Sequence, residues 1–251
     1  MYMKTYLKNA FKLIKRDRIL IAFAAFIIYM GIVLKLLLPW LNNYLELHGF
    51  LPSKTIMSGL SSFYPVILSN FILFTGAVIS GAIFGFLILT EKDESTLKAM
   101  LVTPISPKQY ILSRIVASFG VAFIFIIFLY YVINLDLLPF VDMVLISLGG
   151  ATTAPLAMLF LSILANSKLQ GLNYAKVLSF LGFLIIISWF LKEPVQWIFG
   201  LFPPYWISKA YWTALEGKSI WYIYLFAGIV LQIAAIYFLS GQFIKRVYKR
   251  M

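Results

Sequence analysis

Long apolar runs separated by short polar segments dominate the chain. The six runs lie at about residues 19–38, 61–89, 109–133, 141–165, 176–191 and 220–243. A run of roughly 20 apolar residues is long enough to cross the hydrocarbon core of a bilayer as an α-helix. We therefore predict an all-α polytopic membrane protein with six transmembrane helices, in a single transmembrane domain that spans residues 1–251.

The residues before the first run, 1–18, separate into two faces on a helical wheel. One half is apolar, with Tyr6, Leu7 and Phe11, and the other half carries the lysines of this segment. Such a division is typical of an amphipathic interfacial helix that lies on an anionic leaflet. A solvated basic leader is the alternative.

Glycine and proline positions add detail to the spans. Ala77, Gly81 and Gly85 share one face of the second span, and the GxxxG pattern allows close packing of two helices. The partner is either a helix of the same bundle or a second copy of the chain. Because proline removes a backbone hydrogen bond, we expect a kink near Pro155 and an end to the first span at Pro39. The second span is longer than the hydrocarbon core, so it must tilt, kink near Pro65 or project into water.

The segment between the fifth and sixth spans, residues 192–219, is neither a simple loop nor a span. It is rich in aromatic residues but is interrupted by prolines and charges. We predict short re-entrant helices that dip into the outer interface of the membrane, where tryptophan and tyrosine are favoured.

Six spans place both termini on one side of the membrane. Five of the 21 Lys and Arg residues fall on the other side, namely Lys35, Lys54, Lys192, Lys209 and Lys218. Because cytoplasmic segments carry the excess of basic residues, we expect both termini and residues 91–108 in the cytoplasm, with the protein in the cell membrane. All six tryptophans lie near the opposite boundary, which agrees with this orientation.

Composition argues against several classes of function. The chain is 62% hydrophobic with a net charge of +12, but its basic residues are distributed between apolar runs and do not form a nucleic-acid surface. It has no Cys and one His, so neither thiolate metal sites nor disulfides are expected. We expect no buried ionisable group in the spans apart from Lys35, and we predict no metal site and no catalytic residue.

Residues 91–114 form the longest strongly polar segment between two apolar runs. Acidic residues at its start favour a helix N-terminus, because they offset unpaired backbone N–H groups. Leu97, Met100 and Leu101 have helical spacing and form a small apolar face, which the Thr103–Pro104 pair ends. The pattern predicts a short amphipathic helix on the cytoplasmic surface.

The string EKDESTLKAMLVTPIS at 91–106 resembles the cytoplasmic motif ERERGTLExLLxTPxS of permease subunits in type-2 ABC exporters. The predicted architecture is similar too, and FPPYW at 202–206 resembles part of that family's outer re-entrant segment. The chain departs from the motif at Glu94, where a basic residue is common, at Ser95 in place of Gly, and at Lys98 in place of Glu.

The resemblance implies that residues 91–107 form a coupling helix that docks on a separate ABC ATPase subunit. The candidate coupling residues are Glu91, Asp93, Glu94, Thr96, Leu97, Lys98, Met100, Leu101, Thr103 and Pro104. It further implies a non-catalytic permease that pairs with a second copy or a sister permease, while the partner ATPase binds ATP and Mg. The implied activity is export of a hydrophobic or amphipathic molecule, such as a drug, a peptide antibiotic or a lipid-like compound.

Polar and aromatic residues within the spans are candidates for a substrate pathway. They are Asn70, Phe74, Thr75, Ser179 and Ser188. Two other functions remain as alternatives: a membrane-embedded immunity or assembly protein that does not transport, and a lipid-modifying membrane enzyme. The enzyme would need clustered ionisable residues at one interface, and only residues 91–98 provide such a cluster.

Overall fold

A computed structural model describes residues 18–48, 59–94 and 106–249. Over these ranges the chain is helical and contains no strand. Six helical stretches are long and apolar enough to cross a membrane, and they comprise Ile21–Leu47, Leu60–Asp93, Pro107–Ile133, Phe140–Leu164, Lys168–Trp189 and Trp221–Arg246. The predicted all-α polytopic fold with six spans is thereby confirmed. The interfacial helix and most of the coupling segment lie outside the described residues.

Nine α-helices of the described ranges are labelled here in chain order. They are α1 (Arg18–Leu47), α2 (Tyr64–Leu68), α3 (Gly76–Asp93), α4 (Pro107–Ile133), α5 (Phe140–Ala151), α6 (Thr153–Leu164), α7 (Lys168–Trp189), α8 (Pro203–Leu215) and α9 (Trp221–Lys249). Short 3₁₀ helices cover Leu60–Phe63 and Val195–Leu201, and a π-helical stretch covers Ser69–Thr75. We call the end of the bundle with Asp93, Ser106 and Ser167 the Glu91 end, and the end with residues 190–219 the Lys209 end.

The second span is the central helix of the bundle. Its most apolar window is 89% buried within the chain, whereas the corresponding figure is 17% for the first and sixth spans. The fourth span, formed by α5 and α6, is also largely enclosed, at 72%. Spans two and four therefore form the core, while the others present apolar side chains outward, as helices in contact with lipid do.

The GxxxG glycines of α3 pack against α6 of the same chain. A Cβ atom added at Gly81 would lie 2.1 Å from the Ala154 carbonyl oxygen, and one added at Gly85 would lie 3.1 Å from the Leu161 Cβ. Ala77 is also fully buried on this helix. Small residues thus let two helix backbones approach closely. Of the two partners that the sequence allows for this face, the structure shows the helix of the same bundle.

Pro39 and Pro65 both lie within helices, and Pro39 does not have the expected effect. The first helix runs through Pro39 and ends at Leu47, so the predicted end at Pro39 is wrong. A single missing hydrogen bond does not end a helix that continues to be supported on both sides. Pro65 lies in the first turn of α2, where its missing N–H costs little, and the irregularity of this span is the π-helical stretch that follows.

The fourth span breaks where the sequence predicts it. Helix α5 ends at Ala151 and α6 begins at Thr153, four residues or fewer before Pro155. Since proline has no N–H to donate, the carbonyl of Ala151 loses its helical partner. Gln232 of α9 stabilises the break, because its side-chain oxygen accepts hydrogen bonds from the hydroxyls of Thr152 (2.6 Å) and Thr153 (3.1 Å).

The fifth and sixth spans are longer than their apolar runs. Helix α7 begins at Lys168, not at residue 176, because the Ser167 hydroxyl caps it by accepting a hydrogen bond from the Gln170 N–H (3.4 Å). Helix α9 extends to Lys249. Residues 166–175, the short polar segment between the fourth and fifth apolar runs, are therefore mostly helix.

Short helices occupy the segment between the last two spans, as predicted, but they differ in burial. The 3₁₀ helix Val195–Leu201 exposes Trp197, Ile198 and Leu201. Helix α8 instead packs into the bundle, with Tyr205 and Ala210 fully buried. Trp212 of α8 donates a hydrogen bond from its indole N–H to the Ser69 hydroxyl (2.7 Å), which joins α8 to the π-helical stretch of the central span.

Candidate functional site

An ion pair between α3 and α4 lies at the Glu91 end. Arg114 of α4 donates a hydrogen bond to the carboxylate of Glu91, in the last turn of α3. Arg114 is 2% exposed and Glu91 is 7% exposed. Removing two charges from water is costly, so they remain ionised inside a protein only when they neutralise each other. The pair holds together the two helices that flank the polar segment.

Tyr110 completes the environment of this ion pair. Its hydroxyl donates to the second carboxylate oxygen of Glu91, and its ring lies 5.5 Å from the Arg114 guanidinium carbon. The same ring stacks on Phe243 of α9, with 6.5 Å between the ring centres. The expectation of no buried ionisable group apart from Lys35 is therefore wrong. It treated each charge separately, whereas the fold pairs the two.

Lys92, the next residue of α3, caps the end of α6. Its ammonium group donates hydrogen bonds to the carbonyl oxygens of Ser162 and Ala165, the latter at 3.2 Å. Carbonyl groups in the last turn of a helix lack helical partners and carry partial negative charge, so a lysine is favourable there. Arg246 of α9 acts on the same turn by donating to the Ile163 carbonyl (2.5 Å).

Asp93 binds the start of α7. Its carboxylate accepts a hydrogen bond from the backbone N–H of Lys168 (3.2 Å), at the first residue of that helix. An acidic group is favourable at a helix N-terminus, where N–H groups are unpaired. Glu91, Lys92 and Asp93 thus contact α4, α6 and α7 in turn, and we call these three residues the 91–93 junction.

The polar segment that follows is anchored at both ends. Glu94 ends α3 and is exposed to solvent. Ser106 begins α4 with a capping box, in which its hydroxyl accepts from the Gln109 N–H (3.3 Å) while the Gln109 side chain accepts from the Ser106 N–H (3.2 Å). The remaining predicted coupling residues lie outside the described residues, and they are Thr96, Leu97, Lys98, Met100, Leu101, Thr103 and Pro104.

The predicted pathway residues divide into separate groups. Asn70, Phe74 and Thr75 lie on the π-helical stretch, where Asn70 and Phe74 face Gly182 of α7. A Cβ atom at Gly182 would come within 2.9 Å of the Asn70 side-chain oxygen. That oxygen is buried and has no hydrogen-bond partner among the described residues. Asn70 and Phe74 therefore contact α7 at Gly182, where the missing side chain lets the two helices pack closely.

The two serines predicted with them lie apart. Ser188 is buried near the end of α7 and donates to the Ile185 carbonyl (2.7 Å). Ser179 is exposed on the outer face of α7 and donates to the Ala175 carbonyl (3.1 Å). Both hydroxyls are satisfied by their own helix.

A second charged cluster, at the Lys209 end, was missed by sequence reasoning. Lys209 of α8 is 5% exposed and donates hydrogen bonds to the carboxylate of Glu193 and to the side-chain oxygen of Gln196 (2.8 Å). Its ammonium nitrogen lies 5.0 Å from the ring centre of Tyr224 and 5.9 Å from that of Trp197. The hydrogen bond from Lys209 lowers the pKa of Glu193 from its ordinary value, so this carboxylate is ionised at neutral pH.

Within the described ranges, no three His, Cys, Asp or Glu side chains come together in a way that could hold a metal ion. The two charged clusters each combine one basic and one acidic side chain with tyrosine or tryptophan. Each cluster therefore connects separate segments of the chain through a paired charge.

Comparison with known proteins gives one consistent result. A family model described as Fluoroquinolones export permease protein Rv2686c-like matches residues 10–240. Two relatives from Mycobacterium tuberculosis are each 31% identical over 187 residues, which is 73% of this chain and 73% of each relative. They are Fluoroquinolones export permease protein MT2760 of strain CDC 1551 / Oshkosh and Fluoroquinolones export permease protein Rv2686c of strain ATCC 25618 / H37Rv.

Proposed function

The chain belongs to the Rv2686c-like family of fluoroquinolone export permeases, and from this membership we propose that it exports amphipathic aromatic drugs with energy from a separate ABC ATPase. It is a multi-pass membrane permease of an export system and a transport subunit, not a catalyst. The driving subunit, the substrate and the orientation are the parts that we propose.

The coupling element of this proposal is the segment that begins at the 91–93 junction. Residues 95–104 dock on the ATPase, and the junction transmits their displacement to α4, α6 and α7. The observation that supports it is that three consecutive side chains at the end of α3 bond to three other helices. A push on this end of the central span then acts on most of the bundle at once.

Glu91 takes a different part in this mechanism from the one its motif position implies. The acidic positions of the motif were assigned to ATPase contact, but the Glu91 carboxylate is buried and already accepts from Arg114 and Tyr110. We assign Glu91 to positioning the segment. Glu94 is exposed at the same end and has the access that a contact with the ATPase needs.

Orientation follows from the same proposal. ATP is available in the cytoplasm, so the Glu91 end and both termini face the cytoplasm while the Lys209 end faces outward. The distribution of basic residues supports this, because five of the 21 lie on the outward side.

We propose that two copies, or one copy and a sister permease, form the translocation pathway between them. One partly open pocket within the described residues, lined by residues including Leu73, Tyr130 and Tyr211, has room for about one water molecule, far too little for a drug. Apolar faces of the peripheral spans remain open to a second subunit or to lipid. ATP and Mg bind in the ATPase, and the relatives' named substrates favour a drug as the cargo here.

The test is to co-purify the chain with a stand-alone ABC ATPase encoded beside its gene and to measure ATP-dependent norfloxacin uptake into everted vesicles, which corresponds to efflux from the cell. Reversing charge at Glu94 and Lys98 should break the complex and abolish efflux. The matched control is Lys218→Glu, an exposed residue at the opposite end, which should leave both intact. A stable complex with full efflux after the double reversal would refute the coupling assignment.

The same experiment addresses the alternative of an immunity or assembly protein that does not transport. Such a protein would protect cells without ATP-dependent movement of norfloxacin. Protection that persists when the ATPase is absent would favour that alternative over export.

A further inference from the structure

The two charged side chains of the Lys209 cluster differ strongly in their exposure to solvent. The lysine side chain is 7% exposed, whereas the side chain of its counter-ion, Glu193, is 54% exposed. A buried cation thus depends on an anion that borders solvent. Another carboxylate arriving from solvent can replace the Glu193 carboxylate while Lys209 stays in place. A buried charge is costly when it has no counter-ion. Because the incoming carboxylate would replace Glu193, Lys209 would keep a counter-ion throughout the exchange.

Aromatic rings surround the ammonium group of Lys209. Tyr224 of α9 and Trp197 of the 3₁₀ helix lie on it, at 5.0 Å and 5.9 Å from the nitrogen to the ring centres. Trp197 is 54% exposed, so one of these rings is accessible to a molecule from solvent. Trp206 extends the surface, with 6.4 Å between its ring centre and that of Trp197. A planar aromatic ring can stack on such a surface while its acidic group reaches the lysine.

Two buried hydroxyls of α8 lack hydrogen-bond partners among the described residues. They belong to Tyr205, which is fully buried, and Ser208, which is 1% exposed. Tyr205 precedes Lys209 by one helical turn and lies on the same face of α8. Burial and the nearby Glu193 charge raise the pKa of Tyr205, so its hydroxyl remains a donor. A carboxylate has two oxygens, and this hydroxyl is a donor available for the second.

Gln196 fixes the position of the lysine. Its side-chain oxygen accepts from Lys209 (2.8 Å), and its side-chain nitrogen donates to the Ser188 carbonyl at the end of α7 (2.9 Å). With Gln196 at 9% exposed, Lys209 keeps a neutral partner when Glu193 moves away. The ammonium group therefore stays oriented toward an incoming anion, which is the preorganisation that a binding site requires.

We propose that Lys209, Tyr205, Trp197 and Tyr224 form a binding site for the carboxylate and ring of an aromatic acid, and that Glu193 occupies this site when no ligand is present. Fluoroquinolones are aromatic carboxylic acids, so the site fits the drugs named for the relatives. If this site binds the drug on its way out of the cell, at the outward end of the bundle, that role rests on the export function proposed above. Binding itself is a property of the permease alone and is tested without the ATPase.

The experiment is isothermal titration calorimetry of norfloxacin into the purified full-length permease in lipid nanodiscs. Lys209→Gln should weaken binding about tenfold or more, because it removes a charge-assisted hydrogen bond. Glu193→Gln should tighten binding, since the competing anion is gone. The matched control is Lys218→Gln, an exposed lysine at the same end, paired to Glu216 at 2.5 Å, which should leave affinity unchanged.

A second ligand keeps the test decisive if Lys209→Gln fails to fold. Norfloxacin ethyl ester lacks the carboxylate and should bind the unmodified permease about tenfold more weakly than the acid. Equal affinity for acid and ester overturns the proposal. So does a folded Lys209→Gln variant with unchanged affinity, which would leave Lys209 as a structural contact of the 3₁₀ helix only.

Transport measurements separate this proposal from the export function. Binding with the expected pattern but no ATP-dependent efflux would leave the site intact and refute export. Efflux that continues in Lys209→Gln, with unchanged norfloxacin affinity, would support export and refute the site.

Discussion

Arg114 and Glu91 form a buried ion pair across residues 95–105, so the two ends of the predicted coupling segment are held by one charged contact. The segment follows α3 and precedes α4 in the chain. In the proposed mechanism, a force on the segment would act on both helices together, because the ion pair joins them.

Neutralising one member of the pair should destabilise the protein strongly. Glu91→Gln or Arg114→Gln leaves the other charge buried without its partner, which costs about 3–5 kcal/mol. The double variant should be more stable than either single variant, because no charge is then unpaired. Thermal unfolding in detergent measures the three variants, and Glu94→Gln, at an exposed position, is the control. Equal decreases in unfolding temperature for the two single variants and for the control would contradict the pairing.

Lys92→Met should fray the end of α6. The substitution removes donors to the carbonyls of Ser162 and Ala165 while keeping an unbranched side chain of similar length. A lost contact of this kind at a helix terminus costs about 0.5–2 kcal/mol. Hydrogen exchange of the amides in the last turn of α6 should accelerate, whereas Lys108→Met at an exposed site should leave it unchanged. Unchanged exchange in Lys92→Met would show that the cap is unimportant.

Gly81→Ala should separate α3 from α6. The new methyl group would lie 2.1 Å from the Ala154 carbonyl oxygen, and neither can rotate away, because the methyl is fixed to the α3 backbone and the carbonyl is part of the α6 backbone. Overpacking of this kind costs typically about 1–3 kcal/mol, and more where the backbone must move. Gly120→Ala is the matched control, because nothing lies within 4 Å of its Cβ position and alanine favours a helix. The unfolding temperature should fall for Gly81→Ala and should stay level or rise for Gly120→Ala.

Acid should weaken the contact between Glu193 and Lys209. The pKa of Glu193 lies below its ordinary value of 4.5 in the folded protein, because Lys209 donates to it. The stabilisation is therefore complete above pH 4.5 and is lost as the pH falls through the lower, folded pKa. The difference in unfolding temperature between the unmodified chain and Glu193→Gln should shrink over that acidic window. A difference that is constant from pH 7 to below the window would contradict the assignment.

Hydrophobicity and capping signals predicted much of the fold. The six spans follow from run length alone, and the break near Pro155 follows from its missing N–H. Helix α7 shows the limit of this approach. Its first residues are polar, so hydrophobicity places them outside the span, although the Ser167 cap on the Gln170 N–H marks a helix start there.

Interactions between distant residues were harder to predict. Glu91 and Arg114 looked like two separate charges near span ends, yet they flank the same segment with opposite sign, and this signal could have suggested their pairing. Lys209 was counted only as one of the charges on the outward side. Its burial depends on the way α8 folds back into the bundle, and neither periodicity nor composition indicates that packing.

The enclosure of the central span has a consequence for how the protein is made. Membrane proteins are inserted from the N-terminus onward, so the second span enters the bilayer before the helices that will surround it. The helix face that carries Gly81 and Gly85 has no partner until α6 is synthesised, because Ala154 and Leu161 of α6 pack against it. A ribosome stalled before residue 153 would therefore expose a small-residue helix face in lipid. Assembly of this permease is thus expected to be completed from the C-terminal half, with early spans held as independent helices until the later ones arrive.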